Sequence, residues 1–447
     1  MHAYILVDLG FGDAGKGLIT DFLARQKNAG LVVRYNGGAQ AGHNVVTPDG
    51  RHHTFSQFGS ATFVPGVKTY LSQYMVVHPG ALFVEEEALQ AKGVTDAFSR
   101  LAISDQALLV TPFHQAANHI RELARGTSRH GSCGVGIGET VEDAMDETLD
   151  SIRAADARDF FRLKRKLKNV REYKKEQLIS AFGSHILVNE FGSEWDVFLR
   201  DDVIENWAAA VYELEEMGVI KADECLGNWL KNTETTVFEG AQGVLLDAEA
   251  GFHPYTTWSN CTAANANHLL DAFTPQADVT SIGILRSHAV RHGPGPLPTE
   301  SVQFDALIHE HNQTNPWQRE VRYGHFDAVL ANYALQVTGN MDLLALTHLD
   351  LLQHLHDWKY CTAYDPFDKG LTVQEGSGAF SLSNTIPGSD LARREQLSEA
   401  LFKAEPLYQN CEAVDEIVIA IIEELTGHKV GITVHGQTCQ HVKIRGL

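Results

Sequence analysis

Eight residues near the start of the chain, Gly10-Phe11-Gly12-Asp13-Ala14-Gly15-Lys16-Gly17, carry the spacing GxxxxGK. Glycines in that pattern let backbone N–H groups close around phosphate oxygens. The lysine adds a point charge, and a helix beginning there adds a favourable dipole. Gly12, Gly15, Lys16 and Gly17 are therefore the expected cradle for a nucleotide's phosphates. Gly17 stands where a serine or threonine would ordinarily ligate Mg²⁺. Another oxygen must then hold the cation, and Asp13, inside the loop, is the candidate.

Such a loop works only at a strand–helix junction, and its flanks read that way. Residues 4–9 form an apolar run that predicts a buried strand, and residues 18–25 predict a helix. Further strand-like runs fall at 30–35, 75–78, 107–111, 236–239, 281–285, 343–347 and 430–434. Several are short, apolar on both faces and separated by helical patterns. The predicted fold is α/β: one large domain over residues 1–447, with a mostly parallel central sheet flanked by helices and the P-loop-like phosphate site on it. Residues 151–230 read as helical throughout, which predicts an α-rich insertion rather than a separate domain. No linker, fixed-period repeat or low-complexity tract interrupts the pattern.

Composition narrows the partners. The chain has 447 residues and a formal charge of 36 − 57 = −21. Its 44% hydrophobic and 21% charged residues exclude wholesale disorder. The acidic balance argues against polymeric DNA or RNA, whose phosphates need neutralising cations. No run approaches the ~18 apolar residues of a membrane span, and the start lacks a signal-peptide pattern. The six cysteines include no CxxC pair, which fits a reducing, cytoplasmic setting. A basic run from Arg162 to Lys175 reads as a solvated helix face. The His114/His119 and His354/His356 pairs read as structural.

The ordered motifs resemble one family. Gly12-Asp13-Ala14-Gly15-Lys16-Gly17 is similar to the WGDEGKGK signature of adenylosuccinate synthetases, and Gly37-Gly38-Ala39-Gln40-Ala41-Gly42-His43-Asn44 to their GGxNAGHT element. Phe238-Glu239-Gly240-Ala241-Gln242-Gly243, the 254–260 segment and Gly295-Pro296-Leu297-Pro298-Thr299-Glu300 follow in the family's order. Leu346-Thr347-His348-Leu349-Asp350 resembles its LTKLD. The resemblance implies a Mg²⁺-dependent ligase that joins L-aspartate to IMP at the expense of GTP, through a 6-phosphoryl intermediate, in a homodimer. It implies catalytic roles for Asp13, Lys16, His43 and Gln242. Asp13 would remove the purine N1 proton and ligate the metal, with the backbone of Gly42 completing the shell. The GTP contacts would come from Gly12, Gly15, Lys16, Gly17, Gly42, His348, Asp350 and Gly436. IMP and aspartate would meet Gln40, Ser132, Cys133, Gln242, Thr257, Arg319 and Arg322.

Four departures qualify the expectation. His348 replaces the lysine whose stem covers guanine, and His435-Gly436-Gln437-Thr438 replaces GPDR, so ATP stays open as the donor. Ser132 and Cys133 stand in the IMP-binding loop, where Cys133 loses a good phosphate donor. The basic pair that follows in the family is absent, and residues 146–150 are acidic. In the aspartate loop Arg319 and Arg322 remain, but Glu320 and Val321 lie between them. Two carboxylates call for Arg forks and hydroxyls. The phosphoryl-transfer half thus looks intact and the amine half altered, as in a divergent paralogue. Another purine nucleotide such as dGMP, another amine, or a nucleotide-binding regulator without catalysis are the alternatives.

Overall fold

The computed structural model describes residues 1–308, 317, 320–339, 341–365, 372–374, 380–382 and 391–446. Ten strands form its central sheet: β1 (His2–Asp8), β2 (Leu31–Arg34), β3 (Lys68–Leu71), β4 (Leu101–Ser104), β5 (Ile220–Lys221), β6 (Thr235–Glu239), β7 (Asp278–Arg286), β8 (Leu343–Thr347), β9 (Val430–Val434) and β10 (Val442–Ile444). Their spatial order is β10-β9-β8-β7-β1-β6-β2-β3-β4-β5. Every pairing is parallel except the edge pair β9–β10.

The first strand lies mid-sheet because both of its faces are apolar. Ala3, Ile5 and Val7 enter one hydrophobic cluster, while Tyr4 and Leu6 enter another on the opposite face. A strand buried on both sides needs helices on both sides, as parallel crossovers supply. In register, Leu6 pairs with Glu239 of β6 and Asp8 with Ile284 of β7. The carboxyl ends of β1, β6 and β7 therefore open at one level, where parallel sheets place ligands.

Helix α1 (Lys16–Gln26) follows directly from the loop after β1, with Gly15 in the left-handed region at its N-terminus. A hairpin of His43–Val46 and His52–Phe55 packs on it. The expected strands at 75–78 and 107–111 shorten to Val76–Val77 and Leu108–Leu109, paired with each other outside the main sheet. β3 and β4 were not anticipated. Each is four residues and mixes polar with apolar side chains (Lys68, Thr69 and Ser104), so no apolar run marks it.

Residues 151–230 carry the helices Phe160–Phe182, Ser184–Glu190, Gly192–Asp196, Asp202–Glu216 and Glu224–Lys231, with β5 among them. The basic run lies on the first of these and is not wholly a solvated face. Lys166 and Lys174 are buried: Lys166 bonds Asp156 (2.8 Å), and Lys174 bonds Glu139 (2.7 Å) and Asp143 (2.6 Å). Helical repeat alone cannot reveal this, because the acidic partners come from other segments.

Candidate functional site

Asp8, the last residue of β1, organises the phosphate loop. Its buried carboxylate accepts from Gly10 N (2.9 Å) and Ala14 N (3.0 Å), and Lys16 Nζ donates to it at 2.6 Å. Gly12 and Gly15 turn the chain at φ +100° and +96°. Asp13 itself sits at φ +58°, so its side chain leaves the loop on the ligand side. Arg286 donates to the Asp13 carbonyl (3.1 Å), and the Asp13 carboxylate bonds His292 Nε2. Burial favours the neutral acid. The His292 hydrogen bond and charge, with Lys16 and Arg286 behind them, outweigh it and bring the Asp13 pKa down to about 2.

His43 stands at the start of the hairpin, against the first turn of α1. Its Nδ1 lies 2.6 Å from Glu239 Oε1, and Glu239 also accepts from the Ser60 N–H (3.0 Å) and hydroxyl. Burial lowers the His43 pKa despite the adjoining carboxylate. Burial would raise that of Glu239, but His43, Arg34 and the Ser60 bond hold it below its usual value. The pair is thus a neutral imidazole backed by a carboxylate. Its Nε2 is buried and makes no hydrogen bond among the described residues. This proximity depends on Gly17: a Cβ there would stand 2.9 Å from Asn44 O and 3.0 Å from His43 Cβ. The position that usually carries a metal-binding hydroxyl has no room for one.

Gln242 follows β6 at φ +56°, and its Oε1 is likewise buried without a hydrogen bond among the described residues. Gly37 lets it approach, since a Cβ at 37 would meet Ala241 Cβ at 2.6 Å and the Gln242 amide at 3.0 Å. Gln40 Oε1, beside Gly38, is the second such oxygen and, with His43 Nε2, the third buried polar atom here without a partner among the described residues. These three atoms sit on neighbouring loops, where a ligand would find unpaired hydrogen-bonding groups.

Towards β8 the site becomes a cavity of about 300 Å³. Asp13, Gly15, Lys16, Gly17, Gly42, His43, His348, Asp350 and Gly436 line it. Thr347 ties this end to the loop by donating to Ala14 O (2.9 Å). His348 takes φ +59°. The Asp350 carboxylate makes no hydrogen bond among the described residues and faces the cavity. Gly12 lines a smaller space of about 50 Å³ beneath the loop instead.

The remaining expected residues that are described lie outside that cavity. Ser132 donates to Asn118 Oδ1 (2.8 Å) and accepts from Gly134 N (3.2 Å). Burial pushes the Cys133 thiol up to about 11, so it stays protonated. Thr257 donates its N–H to Leu246 O (2.7 Å). Arg319 lies outside the described residues. The Arg322 guanidinium reaches Gly293 O (2.8 Å), Gly295 O (2.7 Å) and Glu300 (2.7 Å), pinning the turn before Pro296. His114 and His119 bond Asp143 and Glu194, each at 3.0 Å.

Asp8, Glu239 and His292 are among the site residues that the sequence reading gave no role. Asp8 had a local signal, an acid closing an apolar strand just before the glycine loop. His292 had none.

With this geometry in view, comparison with known proteins is informative. The family model "Adenylosuccinate synthetase" matches residues 5–442. The chain belongs to that family. Adenylosuccinate synthetases are C–N-bond-forming ligases of purine biosynthesis, and this chain is one by membership. The adenylosuccinate synthetase of Mycobacterium leprae is 32% identical over 440 residues, covering 96% of this chain and 95% of that one. The Mycobacterium marinum enzyme is 34% identical over 370 residues, 82% and 81% of the two chains. Among solved structures, the fully ligated adenylosuccinate synthetase of Plasmodium falciparum superposes with a TM-score of 0.75 at 20% identity over 100% of both chains. The cyanophage S-2L succinoaminodeoxyadenylate synthetase, solved with dGMP and with dATP as energy donor, reaches 0.60 at 16% identity over 99% of this chain and 95% of that one. These two likenesses concern the fold.

Proposed function

We propose that the chain condenses IMP with L-aspartate, using GTP to activate the purine 6-oxygen, and yields adenylosuccinate, GDP and phosphate. The observation that carries this reading is the arrangement around one cavity: a carboxylate inside the glycine loop, a lysine, and a histidine backed by Glu239.

The 6-oxo group is a poor nucleophile while N1 is protonated. Asp13 takes the N1 proton, the oxygen attacks the γ-phosphorus, and GDP departs. A low pKa keeps Asp13 ionised and makes it a ready metal anchor. His43, turned towards the ligand by Glu239, hydrogen-bonds the transferring phosphoryl group, and anionic phosphates favour its charged form. Lys16 and the loop N–H groups bind the donor's phosphates. Gln242 orients the 6-oxo region, while Gln40, Ser132, Cys133 and Thr257 border the acceptor nucleotide. The amine then attacks C6 and phosphate leaves.

Mg²⁺ fits the residues present. The Asp13 carboxylate and the Gly42 carbonyl are hard oxygen donors on the cavity wall, and Gly17 leaves no space for a hydroxyl ligand. When bound, the cation neutralises phosphate charge during transfer. Asp350 offers an acceptor to guanine N1–H and its 2-amino group, which favours GTP over ATP. No helix among the described residues is long and apolar enough to cross a membrane. With small-molecule substrates and a net charge of −21, a cytoplasmic homodimer acting without polymeric nucleic acid completes the reading.

One observation favours a second reading in which the amine differs. The Arg322 fork is engaged with carbonyls and Glu300, while Glu320 and Val321 supply no cation beside it. The test mixes enzyme, Mg²⁺, GTP, IMP and aspartate and follows the ultraviolet absorbance of the substituted adenine. Its growth supports the first reading. Phosphate release that needs IMP but ignores aspartate supports the second. Asp13→Asn, which keeps the loop's left-handed turn, is expected to abolish turnover while leaving donor affinity within about tenfold. Retained turnover in that variant refutes the base assignment.

A further inference from the structure

His288 is 4% exposed, lines the donor cavity, and has both ring nitrogens buried without a hydrogen bond among the described residues. Among the described residues no other imidazole on that wall is left with two such atoms. It follows β7 by two residues and is held by the rings of Phe304, Tyr323 and His348. Phe304 stacks on it with centroids 5.7 Å apart at 22°, and the His348 ring meets it edge-on at 5.5 Å and 88°. Packing alone would be met equally well by phenylalanine, without two unpaired polar atoms. Such atoms weaken a core unless a ligand or water pairs them.

Its level along the cavity is set by β8. Thr347 is bonded to the phosphate loop at Ala14. Asp350, three residues on, is the base-reading acceptor in the function proposed above. His348 lies between them and touches His288. We propose that His288 reads the sugar of the donor nucleotide, pairing with a ribose hydroxyl. This rests on the cavity being the donor site.

The chemistry selects a hydroxyl. Burial, with Arg286 and His348 nearby, holds the His288 pKa well below the usual value, so the ring is neutral, with one donor and one acceptor. Phosphate oxygens only accept and would leave the ring's lone pair unmatched. A sugar hydroxyl both gives and takes a proton, and the second nitrogen faces the neighbouring hydroxyl or a water.

The test compares GTP with its 2′-deoxy and 3′-deoxy forms in steady-state turnover by the wild-type enzyme, and repeats the set with ATP. We expect KM to rise about tenfold for one deoxy donor with kcat within about twofold, the mark of uniform binding energy. His288→Phe, which keeps the stacking, is expected to raise KM for the ribonucleotide equally and to lose the discrimination. His288→Asn should recover part of it. Equal KM for all three sugars in the wild type overturns the proposal without needing any variant to fold. If neither triphosphate series binds the wild type at equilibrium, the donor-site reading falls, and this inference with it.

Discussion

Restoring the usual phosphate-loop hydroxyl, Gly17→Ser, should damage this enzyme. In an ordinary loop of this spacing a serine contributes an oxygen to Mg²⁺. Here the new Cβ would stand 2.9 Å from Asn44 O and 3.1 Å from the His43 carbonyl carbon. Against ordinary contact at 3.4 Å, the hairpin must retreat by 3.4 − 2.9 = 0.5 Å. The obstructing atoms are mostly backbone, so rotamer change cannot relieve them. Overpacking of this kind costs about 1–3 kcal/mol. The shift falls on His43, whose Nδ1 is tied to Glu239 at 2.6 Å, so the imidazole cannot follow the hairpin without losing that bond. A displacement of this size in a phosphoryl-transfer site should lower kcat on the order of 10- to 100-fold. Gly17→Ala serves as the purely steric control. The assay is single-turnover phosphoryl transfer with a thermal melt of each variant. If serine outperforms alanine, or matches the wild type, the steric account is wrong and a hydroxyl can serve the metal here.

Two further outcomes follow from buried acids. Glu239→Gln removes the charge that backs His43 and sets an amide against donors from Ser60 and His43, so kcat should fall about 100-fold or more with donor KM nearly unchanged; equal kcat in a rate comparison would refute the pairing. Asp327 caps the helix Ala328–Thr338 through Val329 and Leu330 N–H groups, and burial raises its pKa to about 6 despite the Tyr364 bond. An acid with a raised folded-state pKa contributes fully below the unfolded value and loses that contribution as pH rises through about 6. Asp327→Asn should therefore gain on the wild type between about pH 4 and 7, by up to about 3 kcal/mol. A stability difference in chemical denaturation that is flat across this range would show that Asp327 is not buried as a neutral acid.

Much of this enzyme was written in consecutive residues. The glycine loop, its lysine and Asp13 lie within one short segment between an apolar strand and a helix, so covalent spacing alone fixes their chemistry. Strands apolar on both faces, separated by helical patterns, likewise point to a parallel sheet whose crossover helices cover both sides. The fold was legible on those grounds, and the family from the resemblance of the whole ordered set of motifs. What spacing cannot carry is which distant groups the crossovers bring together. Glu239 reaches His43 across 196 positions and His292 reaches Asp13 across 279, and each contact sets a charge state or an orientation that the motif leaves undetermined. The same limit governs Arg322, a free cation in sequence whose fork the fold commits to two carbonyls and Glu300, and Lys174, a surface lysine by composition that the fold buries between Glu139 and Asp143. Sequence supplied the reacting groups. Tertiary structure decided their partners, because a hydrogen bond or ion pair depends on distance through space and burial, neither of which the order of residues along the chain records.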